Sequence, residues 1–182
     1  MATQMSRRRF TVTDYERMAE AGIFRPDERV ELIAGEIIEM AAIGIRHAQC
    51  VTRLTRLLVR NLSDDFQVSP QNPIRLSDDS EPQPDLVVQR DRQYDTTPSA
   101  PDILFVVEVS DTTREYDRGT KMPLYAAAGI AEAWIIDLIA ERIERYTEPQ
   151  DGRYRVVVFA NRGESLASTT VPALVMDADA IL

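Results

Sequence analysis

The stretch Asp102-Ile103-Leu104-Phe105-Val106-Val107-Glu108-Val109-Ser110 constrains this chain more than any other. It is apolar without alternation and rich in β-branched residues. That pattern reads as a central strand buried on both faces, not as an exposed helix. Glu108, near its C-terminal end, conflicts with such burial, because an ionised carboxylate in an apolar strand costs several kcal/mol unless something compensates it. Upstream, Glu81-Pro82-Gln83-Pro84-Asp85-Leu86-Val87-Val88 carries a Pro-Asp step into a second short strand. Two converging carboxylates are commonly compensated by a metal ion. Plainer alternatives stay open here: Asp85 as a turn aspartate after proline, and Glu108 paired with an arginine.

Lys121 is the single lysine, against twenty arginines. Arginine is a permanently charged planar fork, whereas lysine is a compact point charge that can shift its pKa. A lone lysine on the segment after the Glu108 strand suggests a place where arginine would not serve; chance retention of one lysine is the plainer alternative. The expected N-cap of its helix is Thr120, which puts Lys121 at the first position and Pro123 in the first turn, where a missing N–H costs little. Leu124, Tyr125 and Ala128 give that helix its buried side, and Gly129 ends it.

Elsewhere, Thr13-Asp14-Tyr15-Glu16 has capping-box form, predicting a helix from Asp14 to Ala21 that stops at Gly22. Arg29 to Ala34 and Glu36 to Ala41 form an expected hairpin at Ala34-Gly35. A long helix is expected from Arg46 to Leu62, with Val51, Leu54, Leu58 and Leu62 as its apolar stripe. Arg53, Arg56 and Arg60 line another face of it, either to contact phosphate or as a solvated face, and His47 sits at its start. Strand pieces follow at Phe66 to Ser69 and Pro73 to Leu76, then strands at Glu132 to Asp137, Arg142 to Tyr146 and Tyr154 to Phe159. The tail from Pro172 to Leu182 adds a short strand or helical turn. Tyr125 and Trp134 read as core, and Asp117 as a local cap or pair.

At 182 residues and 20.6 kDa the chain suits one domain. The expected division is an N-terminal arm over 1–12 and a single mixed α/β domain over 13–182. No apolar stretch is long enough to span a membrane, no apolar segment follows Arg7-Arg8-Arg9, and Cys50 has no partner, so a cytoplasmic location is expected. The net charge of −9 counts against a protein that coats nucleic acid non-specifically. It does not exclude a nuclease, since a metal site needs clustered carboxylates.

The order helix, hairpin, helix, Pro-Asp strand, Glu strand, lysine-bearing helix resembles the restriction-endonuclease-like PD-(D/E)XK superfamily, and within it the Uma-type endonucleases of bacteria. The segments that carry the resemblance are Val30-Glu31-Leu32-Ile33-Ala34-Gly35-Glu36-Ile37-Ile38-Glu39-Met40, Pro84-Asp85-Leu86-Val87-Val88, and the long block from Glu108-Val109-Ser110 through Tyr116-Asp117 and Lys121 to Ala133-Trp134-Ile135-Ile136-Asp137. The resemblance implies a mixed central sheet flanked by helices. It also implies a magnesium-dependent endonuclease (manganese as a substitute) acting on DNA, in which Asp85 and Glu108 hold the metal and Glu31 supplies a further carboxylate. Where the superfamily has a lysine two residues after the glutamate, this chain has Ser110; in the Uma-type branch Lys121 takes over, orienting or helping to deprotonate the attacking water. Homodimerisation, and phosphate contact by Arg53, Arg56, Arg60 and His47, complete the expectation. A non-catalytic nuclease-fold module that binds nucleic acid or protein is the alternative.

Overall fold

The computed structural model describes residues 7–182; Met1 to Ser6, half of the expected arm, lie outside the described residues. Helix α1 (Val12–Glu20) starts earlier than expected: Thr11 is the N-cap, and the reciprocal capping box joins Thr11 to Asp14. Thr11 and Thr13 both begin a threonine-then-acid pattern at capping spacing. Starting at Thr11 is favoured because it buries Val12 completely. Strands β1 (Val30–Ile33) and β2 (Glu36–Glu39) pair antiparallel as expected. Their turn residues Ala34 and Gly35 have φ of 49° and 77°, the left-handed pair that a two-residue hairpin demands. Gly35 is also needed for space, since a Cβ there would sit 2.6 Å from the Arg9 Cβ.

Helix α2 (Ile45–Asn61) leads into β3 (Phe66–Pro70), β4 (Leu86–Arg90) and β5 (Ile103–Ser110). Pro73 to Leu76 is not a strand. Pro73 has no N–H for a ladder, the Ile74 amide donates to the Pro82 carbonyl instead, and only an isolated bridge from Arg75 to Ser99 forms. After β5 come a one-turn helix α3 (Arg114–Tyr116), a π-helical turn over Asp117–Lys121, and α4 (Met122–Ala127). Strand β6 (Glu132–Asp137) follows, then β7 (Arg142–Gln150), β8 (Arg153–Asn161), β9 (Ser165–Ala167), β10 (Val175–Asp177) and α5 (Ala178–Ile181). The β7–β8 hairpin runs four residues beyond Tyr146, as far as an Asp151-Gly152 turn at positive φ.

The central sheet has six strands in the order β3-β4-β5-β6-β7-β8. Only β5 and β6 run parallel, and the α3-π-α4 segment is the crossover that a parallel pair requires. The expected mixed α/β domain with a helix-flanked central sheet is what forms. Phe105, Val107 and Val109 face the core under α2 and α5 with Cys50, Leu54, Leu58 and Trp134. Val87, Val106 and Ile135 face the other core, under Met122 and Tyr125 of α4. The two-faced burial of β5 is thus the sheet's two layers meeting on one strand. Among the described residues no helix is long and apolar enough to cross a membrane.

Candidate active site

The register of β4 against β5 pairs Leu86 with Val107 and Val87 with Val106, and continuing it by one residue sets Asp85 across from Glu108. The backbone amide of Val109 donates to Asp85 Oδ2 at 2.8 Å, which ties the carboxylate to the neighbouring strand. Glu108 shares its face with Val106 by strand alternation and so points toward the crossover helix. Both carboxylates line a cavity of about 400 Å³.

Lys121 enters from the crossover. It is not at a helix start: the helical path begins at Arg114, and Thr120 lies inside the π turn. The Met122 amide donates to the Asp117 carbonyl, five residues back. Pro123 explains the widened turn, since in a regular α-helix its ring would crowd the Gly119 carbonyl and its missing N–H would leave that carbonyl unbonded. Lys121 is 3% exposed. Its Nζ lies 3.2 Å from Glu108 Oε1, 3.3 Å from Glu31 Oε2 and 3.5 Å from the Gln83 carbonyl. Glu108 is therefore partnered by the lysine and not by an arginine. Glu31, on the second residue of β1, also accepts from the Gln83 amide at 3.0 Å and from the Tyr116 hydroxyl at 3.0 Å.

Electrostatics assign these groups different states. Burial, reinforced by Asp117 and Asp85, pushes Glu108 up to about 8 against the pull of Lys121 and of the Tyr125 hydroxyl. Burial also works against the Lys121 ammonium, but Glu108, Glu31, Asp117 and Asp85 outweigh it and hold its pKa above the ordinary lysine value. Lys121 is thus a positive charge and hydrogen-bond donor at neutral pH, suited to orienting an oxygen or stabilising an anion. Asp117 accepts from Ser110 at 2.6 Å and Thr113 at 2.7 Å, the local pairing expected of it. Burial raises its pKa.

His47 lines the same cavity, with Nε2 at 2.9 Å from Asp85 Oδ2 and Nδ1 buried without a partner among the described residues. Arg53, Arg56 and Arg60 of α2 do not line the cavity. Arg53 donates through Nε and Nη2 to the Ile181 carbonyl at 3.1 and 2.8 Å, closing the end of α5, while Arg56 and Arg60 are exposed. Two contributors escaped the sequence reading. Tyr125 is core, as expected, yet its hydroxyl also donates to Glu108; Tyr116 holds Glu31. The signal for Tyr125 was spacing, which sets Asp117, Lys121 and Tyr125 four residues apart; Tyr116 had no such signal.

Among the described residues, no three His, Cys, Asp or Glu side chains converge as a metal site. The donor chemistry nonetheless fits a hard divalent ion. One oxygen of Asp85 binds His47 and the Val109 amide, and one of Glu108 binds Lys121 and Tyr125, while the second oxygen of each has no hydrogen bond among the described residues. Two carboxylates suffice for magnesium, which keeps several water ligands.

The chain is similar to a structure described as a putative nuclease belonging to DUF820 from Anabaena variabilis. The match has a TM-score of 0.72 at 12% identity and covers 94% of this chain and 97% of that one, so it bears on the fold alone. No curated protein matches this chain. A family model named Uma2 and described as "Putative restriction endonuclease" matches residues 12–179, which include every cavity residue discussed above. With the register, the buried lysine and this match in agreement, the chain belongs to the Uma2 family.

Proposed function

We propose that this protein is a divalent-metal-dependent endonuclease that hydrolyses phosphodiester bonds of DNA in the Asp85–Glu108 cavity. The family's description, together with that of the similar Anabaena variabilis structure, supports a nuclease; the metal, the substrate and the residue roles are our reading. The observation that carries it is the meeting of Lys121 with Glu108 and Glu31, beside Asp85, on the wall of a single cavity. Asp85 and Glu108 would hold magnesium, or manganese in its place, through their unbonded oxygens. Such an ion neutralises charge on the phosphoryl oxygens and lowers the pKa of a water.

The side chains do the rest. Lys121, kept protonated by its carboxylate neighbours, orients the attacking water and stabilises the added negative charge on the phosphoryl group. Glu31 anchors Lys121 and is itself held by Tyr116 and the Gln83 amide. Tyr125 restrains Glu108, and His47 restrains Asp85. A homodimer would present one such site to each strand of a duplex.

The test is cleavage of a panel of DNA and RNA substrates with magnesium, with manganese and with chelator, by the wild type, Lys121→Ala and the Asp85→Ala/Glu108→Ala double variant. Metal-dependent cutting of DNA that both variants lose is the expected result. A wild type that binds manganese and nucleic acid but cuts nothing would instead favour the binding-module reading.

A further inference from the structure

The cavity has a charge imbalance that its own residues leave unresolved. Six carboxylates line it, from Glu31, Glu39, Asp85, Glu108, Asp111 and Asp117, against two permanent cations, Arg29 and Lys121. Lys121 is held by Glu31 and Glu108. Arg29, the residue before β1, makes no side-chain hydrogen bond or ion pair among the described residues, although acids surround it. Its guanidinium carries up to five donors, none bonded to protein among the described residues and none sealed from solvent, so they are free to meet a ligand.

Arg29 also faces a second space. A neighbouring groove of about 500 Å³ shares Arg29 and Gln83 with the cavity, so the two adjoin at these residues. Phe24 and Tyr15 line that groove, with ring centroids 5.4 Å apart. Tyr15 is fixed by its hydroxyl, which donates to the Val30 carbonyl at 2.9 Å, so it backs Phe24 rigidly. The other cation in the groove, Arg25, sits 3.9 Å from both Asp27 and Glu28. An unpaired arginine beside a braced, partly open aromatic ring is the pairing that holds a phosphate and its base together.

We propose that Arg29 and Phe24 form the substrate-holding subsite of this enzyme and take a single-stranded stretch of nucleic acid next to the scissile phosphodiester. Arg29 grips the flanking phosphate, and the base it carries stacks on Phe24. A single strand is favoured because a base reaches a protein ring only after leaving its own stack, which costs a duplex unpairing as well. The inference rests on the nuclease reading above and adds to it the form of the substrate.

Binding can be read without turnover, by fluorescence anisotropy of labelled single-stranded and duplex oligonucleotides in calcium and in chelator, with melting curves to verify folding. The wild type should prefer the single strand. Arg29→Ala should weaken binding about ten-fold or more and lower the slope of log affinity on log salt by about one, with Arg29→Lys recovering part of the loss. Phe24→Ala should weaken single-strand binding about five-fold or more while leaving duplex binding unchanged, and Phe24→Trp should retain it. Unchanged affinity and salt slope in Arg29→Ala, or equal single-strand and duplex binding with Phe24→Ala silent, overturns the subsite. If metal-dependent cutting by the wild type persists in that case, the nuclease reading stands without it. A wild type that neither binds nor cuts any of these substrates overturns both.

Discussion

Replacing Lys121 by methionine removes one charge and leaves a side chain of similar length, so its cost isolates the ammonium. The lysine is 3% exposed and its two carboxylate partners, Glu31 and Glu108, are 1% and 2% exposed. Breaking a buried pair by removing one partner costs about 3–5 kcal/mol, because the remaining charge stays buried and uncompensated. For a domain of this size that lowers Tm by roughly 6–20 °C. The loss should depend on pH, and its sign follows from Glu108. Its folded pKa of about 8 lies above the ordinary value of 4.5, so the folded state holds a proton that the unfolded state has released between those values. Glu108 therefore subtracts stability as pH rises through that window, and the loss stops once the folded carboxyl ionises. Without Lys121 the folded pKa rises further, the window extends upward, and the deficit of the variant grows by about 1.4 kcal/mol per pH unit above 8. Chemical denaturation of wild type and Lys121→Met at pH 6, 8 and 9.5 measures this, with Glu108→Gln/Lys121→Met as the control that removes the dependence. A variant as stable as wild type at pH 9.5 would refute the buried-triad argument.

Three further outcomes follow from named contacts. Because a proton competes for the Glu108 carboxylate, apparent manganese affinity by calorimetry should climb with pH and level off near 8; a flat profile contradicts the ligand assignment. Arg118→Ala should cost about 2–3 kcal/mol at neutral pH in urea denaturation, since Arg118 donates to buried Asp137 at 2.6 Å and to Glu144. Burial opposes ionisation of both acids, but hydrogen bonds outweigh it: the Ala140 and Ile139 amides and Arg118 for Asp137, and Arg118 with Tyr146 and Arg142 for Glu144, leave both pKa values lowered. That stability is present above the ordinary values of 3.8 and 4.5 and is lost below them, so variant and wild type should converge in acid. Gly35→Ala should lose about 1–3 kcal/mol from a positive φ together with the clash against Arg9, and an unchanged urea midpoint would mean the turn has another conformation open to it.

Much of the architecture was legible because it is written locally. The unbroken β-branched run of β5, the apolar stripe of α2 and the Ala34-Gly35 turn each depend on residues close in sequence. Errors came where two local solutions competed. Thr11 and Thr13 both offer a capping pattern, and burial of Val12 decides between them. Pro123 fits a first turn by rule, yet the helix runs through it by widening to a π turn. Pro73 to Leu76 has strand-like composition, but Pro73 has no donor and its neighbours bond to a loop.

The sequence by itself determined a mixed α/β chain with a central strand buried on both faces, a carboxylate inside that strand, and one lysine set apart from twenty arginines. Only the tertiary structure decided that the lysine is clamped between Glu31 and Glu108, that two tyrosine hydroxyls hold those acids, that Arg53 closes a helix end, and that Arg29 is left unpaired. The reason is one of range. Periodicity and capping report how a residue meets its own element, whereas a buried charge finds its partner through strand register and helix packing, which bring together segments as far apart in sequence as Glu31 and Lys121.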